Sequence, residues 1–183
     1  MVQYLLRNTF VGCSWQWLER DVMKSLRLLC AGFLLLVSVL ASSVLADDAV
    51  VLTIDGRIAG DTAVDFTLAD LQALGVERIE TTTPWHDGAM VFEGVSLSRL
   101  MEHVGAQGDK LTAIALNDFY TEIPLSDAEA YGVLLAYRAN GSILTVRDKG
   151  PLFVIYPFDR YPDLRNELYY SRSIWQLRRL TVK

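Results

Sequence analysis

The chain has 183 residues, of which 51% are apolar and 21% are charged, with 17 basic and 22 acidic side chains and a formal net charge of −5. This length accommodates one domain with a substantial core but not two large domains. The acidic balance, without a basic stripe, argues against nucleic acid as a partner, because neutralising phosphates requires clustered lysine and arginine.

The segment 23–46 is typical of a secretory signal. Two basic residues precede an apolar run, 28–37, that is short for a membrane span, and small residues end at Ala46 before an acidic pair. We therefore expect cleavage after Ala46 and a periplasmic mature protein that does not insert into the membrane; an uncleaved anchor is the alternative. Because Met23 begins this signal, residues 1–22 are interpreted as an over-extended N-terminus.

Removing residues 1–46 changes the composition of the protein. The basic count falls from 17 to 13 and the acidic count from 22 to 20, which leaves residues 47–183 with a net charge of −7. Both cysteines, Cys13 and Cys30, are also removed. We therefore expect a mature domain without a disulfide, a thiolate nucleophile or a thiolate metal ligand.

Short strands dominate the predicted structure of residues 47–183. In chain order, hydrophobic periodicity, capping residues and turn dipeptides predict a strand over 50–54, a helix over 67–74, a strand over 76–83, a helix over 96–104, strands over 111–116 and 119–123, a helical turn over 126–130, strands over 133–137, 143–146 and 152–156, a helical segment over 162–170, and a final strand over 174–182. Asn140-Gly141 is a strong hairpin signal. The pattern predicts a single α+β domain, mixed and strand-rich, and not a doubly wound parallel sheet.

One loop stands out as a candidate ligand contact. Trp85 and His86 lie in Thr-Pro-Trp-His-Asp-Gly at 83–88, between a strand and the next element. The alternative is that Trp85 covers the core and His86 faces water. The other histidine, His103, lies in a predicted helix and is interpreted as structural. The two histidines lack zinc-ligand spacing and the acidic residues are dispersed, so we expect no metal site.

The C-terminal half offers two further candidate features. Arg147 and Lys149 flank a loop that suits an anionic or polar ligand, although an exposed charged loop is the alternative. Aromatic residues interleave with arginines, which suits either a flat heterocycle or an ordinary core with a cationic rim. These aromatic residues are Phe153, Tyr156, Phe158, Tyr161, Tyr169, Tyr170 and Trp175.

Seven segments, taken in order, carry a resemblance to a known family: 71–74, 76–88, 92–100, 117–120, 134–141, 149–152 and 173–177. From about Val51 to Val182 the chain resembles the sulfite-oxidase-type molybdopterin-binding domain. This resemblance implies a mixed α+β fold that binds a pterin such as molybdopterin.

The chain departs from the catalytic members of that family at two places. Those members ligate molybdenum through a cysteine after the strand that here ends in Thr81-Thr82-Thr83, and often carry an arginine where this chain has Leu152 and Phe153. Without the thiolate, the resemblance implies a binding protein rather than an enzyme.

The chain is most similar to small exported members of the family. Some of these are implicated as periplasmic pterin-binding proteins that regulate a membrane-bound cyclic-di-GMP enzyme. Such a sensor, docking on the periplasmic domain of a membrane signalling protein, is our leading hypothesis. The alternatives are a molybdopterin-dependent oxidoreductase or electron-transfer component that holds its cofactor without cysteine, and an interaction module that binds no pterin.

A bicyclic pterin requires a face for stacking and hydrogen bonds at its edges. The residues expected to bind it are Trp85 and Tyr156 for stacking, Asn117, Asp118, Arg147 and Lys149 for hydrogen bonds, and His86 and Tyr120 as further contacts. No catalytic residue and no metal ligand is predicted.

Overall fold

The computed structural model describes residues 49–60 and 62–183. The predicted signal 23–46 and the segment 1–22 lie outside these residues. The described strands are β1 Val50–Gly56, β2 Val64–Thr67, β3 Glu77–Thr82, β4 Ala89–Ser96, β5 Lys110–Ala115, β6 Tyr120–Pro124, β7 Leu134–Ala139, β8 Ser142–Ile143, β9 Phe153–Ile155 and β10 Leu177–Val182. The α-helices are α1 Leu68–Ala73, α2 Leu97–His103, α3 Leu125–Tyr131 and α4 Glu167–Arg172, and short 3₁₀ turns cover Val146–Asp148 and Pro162–Leu164.

These strands form two sheets. The first has the order β2-β1-β10-β5-β6, in which β1 and β10 are parallel and the other pairs are antiparallel. The second has the order β3-β4-β7-β8, with β9 also paired to β7, and all of its pairs are antiparallel. The predicted mixed, strand-rich α+β fold is therefore confirmed.

The second sheet is buried on both faces of β7. Leu135 and Tyr137 belong to the larger hydrophobic core, whereas Leu134 and Ala136 belong to a smaller cluster that includes Phe92. Successive side chains of a strand point to opposite faces, so this strand separates two apolar layers. One loop residue, Trp85, packs against both clusters. The sheet thus fixes the base of the loop that the sequence singles out.

Local sequence signals account for several elements. Thr67 caps α1 as predicted: its hydroxyl accepts the Asp70 amide, and the Asp70 carboxylate accepts the Thr67 amide. At Asn140-Gly141, a hairpin pairs Ala139 with Ser142, which confirms the predicted turn.

The structure differs from the prediction at β2, at β4, over 143–146 and near the C-terminus. The predicted strand 143–146 is reduced to β8, Ser142–Ile143, and a 3₁₀ turn begins at Val146. Neither β2 nor β4 is predicted from the sequence. β4 contains Gly94 at a register shift, where the backbone of β7 lies too close for a side chain. The segment 162–170 divides into a 3₁₀ turn and α4, and the final strand begins at Leu177 rather than at 174. No helix within the described ranges is long and apolar enough to cross a membrane.

A methyl group at Gly94 is expected to destabilise the second sheet. A Cβ there would lie 2.1 Å from the Leu135 carbonyl oxygen, so Gly94→Ala should lower the free energy of unfolding by about 3 kcal/mol. Gly132→Ala is the matched control: its φ is +68° but nothing lies within 4 Å of the new Cβ, so only a backbone cost of about 1 kcal/mol is expected. Chemical denaturation measures both values. Equal stability of the two variants would contradict the close approach of β4 and β7.

Candidate functional site

An aromatic cleft of about 350 Å³ opens between the loop 83–88, the β5–β6 turn and α4. Its volume falls in the range of small-molecule sites. We call it the aromatic cleft; its lining residues are Trp85, Ala115, Asn117, Phe119, Glu167, Tyr170, Ser171, Ser173, Ile174 and Trp175.

Three rings form the walls of the aromatic cleft. The Trp85 ring centroid lies 5.5 Å from that of Trp175 and 5.9 Å from that of Tyr170, with interplanar angles of 75° and 76°. These are edge-to-face contacts, which aromatic rings prefer over face-to-face packing. Trp175 is 38% exposed, and Phe119 at the mouth is 51% exposed. The cleft therefore offers apolar, flat surface to a heterocycle from solvent.

The loop 83–88 starts from an anchored strand end. The Asp159 carboxylate accepts hydrogen bonds from the Thr82 amide at 2.8 Å and the Thr82 hydroxyl at 2.6 Å, and it pairs with Arg165. These hydrogen bonds from Thr82, together with the Arg165 charge, hold the pKa of Asp159 below its usual range. Beyond the strand, Thr83 Oγ1 lies 2.7 Å from His86 Nδ1 and accepts the Trp85 amide at 3.4 Å. Both ends of the Trp85 turn are thus held by polar contacts.

A buried ion pair holds α4, the opposite wall. Arg172 donates to Asp127 Oδ2 at 2.9 Å, and the two side chains are 16% and 9% exposed. The Tyr156 hydroxyl donates to the same oxygen at 2.8 Å. Burial, followed by the Asp127 charge, raises the pKa of Tyr156 far above its ordinary value, so this hydroxyl remains a donor. The pair ties α4 to α3 across the core.

A second groove, of about 370 Å³, is lined by His86 from the loop 83–88. We call it the cationic groove; it is lined by His86, Met90, Ala139, Asn140, Ser142, Ile143, Leu144, Arg147, Asp148 and Lys149. Lys149 Nζ lies 5.5 Å from the centroid of the Trp175 ring, which lines the aromatic cleft. Burial and, secondly, the Lys149 charge lower the pKa of His86 below 6.5. At physiological pH the groove therefore contains two cations, Arg147 and Lys149, and the Asp148 carboxylate beside a neutral imidazole.

The structure distributes the predicted ligand residues over several places. Trp85 and Asn117 line the aromatic cleft, and the other loop candidates, His86, Arg147 and Lys149, line the cationic groove. Asp118 is exposed in the β5–β6 turn and pairs with Arg178 at 2.5 Å. Tyr120 is 67% exposed at the start of β6 and lines neither cavity.

The predicted stacking role of Tyr156 is wrong. Its side chain is 0% exposed, lies in the larger hydrophobic core and has its hydroxyl bonded to Asp127. A ring without exposed surface cannot contact a ligand. The sequence carries a signal against this role, because the continuous apolar run 152–156 is typical of a strand that is buried on both faces.

Sequence reasoning assigned no site role to several lining residues. The aromatic composition of the C-terminal half points to Tyr170 and Trp175. The predicted turn at Asn117 points to Phe119, which follows it. Glu167 carried none, because an acidic residue in the first turn of a helix is ordinary.

Comparisons with known proteins agree with this geometry. The model of the oxidoreductase molybdopterin binding domain family matches residues 41–159, which is more than half of the chain. The chain belongs to this family. The predicted resemblance is thereby confirmed.

The molybdopterin-binding domain also has structural relatives. The chain is similar to the sulfane dehydrogenase SoxCD from Paracoccus pantotrophus, with a TM-score of 0.55 and 21% identity over 72% of this chain and 37% of that chain. It therefore spans little more than a third of the SoxCD chain, and at this identity the likeness shows the fold alone. No curated protein sequence matches the chain.

The described residues fit a pterin better than a thiolate-bound molybdenum. No cysteine lies among residues 49–60 and 62–183, and within these ranges no three His, Cys, Asp or Glu side chains form a metal-binding group. The threonines at the end of β3 supply hydroxyls, and those of Thr82 and Thr83 are bonded to Asp159 and His86. Hydroxyls in these bonds do not replace a soft thiolate ligand.

Removing the Lys149 charge is expected to change the titration of His86. Lys149→Gln should raise the pKa of His86, measured by NMR, toward but not up to 6.5, because burial remains as the larger cause. Since the folded protein disfavours the His86 proton, the native state should lose stability as pH falls below 6.5. An unchanged His86 titration in the variant would contradict the proximity of the two groups.

Breaking the buried ion pair between Asp127 and Arg172 is expected to lower the free energy of unfolding substantially. Asp127→Ala leaves Arg172 charged and buried and removes the partner of the Tyr156 hydroxyl, so unfolding should become easier by about 3 kcal/mol. Glu122→Ala, which removes the exposed pair with Lys110 at 3.1 Å, should cost less than about 1 kcal/mol. Thermal or denaturant unfolding compares the variants. If Asp127→Ala and Glu122→Ala lowered the free energy of unfolding by similar amounts, the Arg172 pair would not be what holds α4.

Proposed function

We propose that this molybdopterin-binding domain is a periplasmic, non-catalytic pterin sensor that regulates a membrane-bound cyclic-di-GMP enzyme. The observation that carries the proposal is the aromatic cleft, which combines exposed rings with hydrogen-bonding groups on a family fold whose described residues lack a cysteine. The cleft supplies what a flat bicyclic ligand needs, and nothing in it depends on a metal.

The polar groups of the cleft support recognition of the pterin edge. Asn117 Oδ1 accepts the Phe119 amide at 3.2 Å, which leaves its amide nitrogen as a donor toward the cleft. The adjacent Trp175 ring provides a stacking face. Together these groups bind a heterocycle through one face and one edge.

The cationic groove supports an anionic substituent on the ligand. Arg147 and Lys149 both line it, and His86 stays neutral. A phosphate group, as molybdopterin carries, would accept hydrogen bonds from the two cations. The groove thus extends the range of suitable pterins to phosphorylated ones.

The chemistry of the β3 end supports a binding role rather than oxygen transfer. The hydroxyl of Thr82 donates to Asp159, and that of Thr83 contacts His86. Neither is a ligand of the kind with which catalytic relatives hold molybdenum. We therefore assign no redox step to this chain.

Exposed apolar side chains near the cleft support a protein partner. Phe119 and Trp175 line its mouth, and Leu116 and Tyr120 flank Phe119 along the chain; they are 46% and 67% exposed. A partner that covers this surface would contact the ligand and the protein together. The net charge of −7 for residues 47–183 suits a partner with a basic face.

The alternative function is an oxidoreductase or electron-transfer component that holds molybdopterin without cysteine. The family match favours it, because the matching domain is named for oxidoreductases. The two functions differ in metal content. The protein purified from periplasm after expression of the full chain should therefore be analysed for bound small molecules by mass spectrometry and for molybdenum by elemental analysis. A metal-free pterin is the expected result, and stoichiometric molybdenum would overturn the sensor.

Truncating Trp85 is expected to weaken pterin binding. Loss of one stacking ring is worth about 1–3 kcal/mol, so Trp85→Ala should raise the dissociation constant about 5- to 150-fold. Because Trp85 also packs on the core, Trp175→Ala is the second variant, and circular dichroism monitors folding of both. Tyr120→Ala, outside both cavities, is the control. Wild-type affinity in both tryptophan variants would exclude the aromatic cleft as the pterin site.

A further inference from the structure

The aromatic cleft contains one carboxylate. Among the described residues that line it, Glu167 is the sole charged side chain. Its carboxylate makes no hydrogen bond or ion pair with any residue in the described ranges, whereas the carboxylates of Asp127 and Asp159 each accept hydrogen bonds and pair with an arginine. Glu167 is exposed and lines the cleft, so its carboxylate is accessible to accept hydrogen bonds from a ligand beside the aromatic rings.

Helix capping does not explain Glu167. Asn166 already caps α4, its Oδ1 accepting the amides of Leu168 at 3.0 Å and Tyr169 at 3.4 Å. On α1 the capping-box residue Asp70, the third residue of its helix, bonds both the amide and the hydroxyl of Thr67, whereas Glu167 is the first residue of α4. Glu167 makes no such bonds, so its carboxylate is not consumed by the local backbone.

The hydroxyls beside Glu167 also present acceptors. Ser171 Oγ donates to the Leu168 carbonyl at 2.8 Å, and Ser173 Oγ donates to the Tyr169 carbonyl at 2.9 Å. Their protons are used, so they face the cleft with lone pairs. The α4 side of the cleft is therefore rich in acceptors, whereas Asn117, on the β5–β6 turn, supplies a donor.

We infer that Glu167 determines specificity, selecting a ligand with two adjacent N–H donors such as the 2-amino-4-oxopyrimidine edge of a pterin. This inference rests on the proposed function. A carboxylate accepts from the 2-amino group and the neighbouring ring N–H at once, a charge-assisted pair of bonds. In a 2,4-dioxo analogue, a lumazine, the amino group is replaced by a carbonyl oxygen. The carbonyl oxygen and the carboxylate are both acceptors, so no hydrogen bond forms between them and they repel each other. This repulsion makes the site select the pterin over the lumazine.

The test uses a matched pair of ligands, 6,7-dimethylpterin and 6,7-dimethyllumazine, which differ at the 2-position. Their dissociation constants are measured by calorimetry for the protein exported from the full chain. The wild type should bind the pterin at least about tenfold more tightly than the lumazine. Glu167→Gln should lose most of the pterin affinity, change lumazine binding little and so abolish the preference.

A control variant separates a local effect from a change in net charge. Glu129→Gln removes the same charge from α3, where Glu129 is exposed, and should retain the wild-type preference. An intact preference in Glu167→Gln, or equal wild-type affinities for the two ligands, would overturn the role of Glu167 and leave pterin binding standing. Failure of the wild type to bind either compound would overturn the proposed function and the role of Glu167 together.

Discussion

The aromatic cleft depends on the buried ion pair between Asp127 and Arg172. Helix α4 has six residues, which is too short to be stable as an isolated helix. It forms one wall of the cleft, including Glu167 and Tyr170. Contacts with the rest of the domain stabilise it. A charge pair of low exposure, with Tyr156 donating to the same carboxylate, fixes the helix in one position. Such a pair restricts geometry more than it adds stability, because desolvation offsets much of its attraction.

The loop that carries Trp85 depends on a different set of contacts. Asp159, which follows β9 by four residues, reaches the end of β3 and satisfies its backbone and hydroxyl donors. Trp85 then packs on both apolar clusters at the base of the second sheet. Both walls of the cleft are therefore held by carboxylates from distant parts of the chain. In this member of the family, the hydroxyls at the end of β3 serve to shape the loop.

Local sequence signals predicted the elements that local chemistry determines. The capping residues of α1 and the turn at Asn140-Gly141 are examples, and the Trp85 loop is identified because an aromatic residue stands beside a histidine and an aspartate in a loop. β4 is not predicted from the sequence because it contains Gly94. This glycine is explained by the close approach of β7, a tertiary contact that no local sequence pattern shows. The stacking role of Tyr156 is wrong for a different reason: its ring ends the apolar run 152–156, whose pattern already indicates burial. Glu167 lies more than 80 residues from Trp85 in the chain, and only the fold brings both to one cavity.

The parallel pairing of β1 with β10 determines where the chain enters and leaves the domain. With Thr53 opposite Arg179, the start of β1 lies beside the start of β10, next to the segment that carries Trp175. The other end of β10 leads to Lys183, whose backbone bonds Lys110 at the far end of the first sheet. A fusion partner or affinity tag at the C-terminus would therefore emerge away from the aromatic cleft. A surface tether at residue 49 would instead attach at the end of the first sheet near the cleft, where Leu177 pairs with the lining residue Ala115.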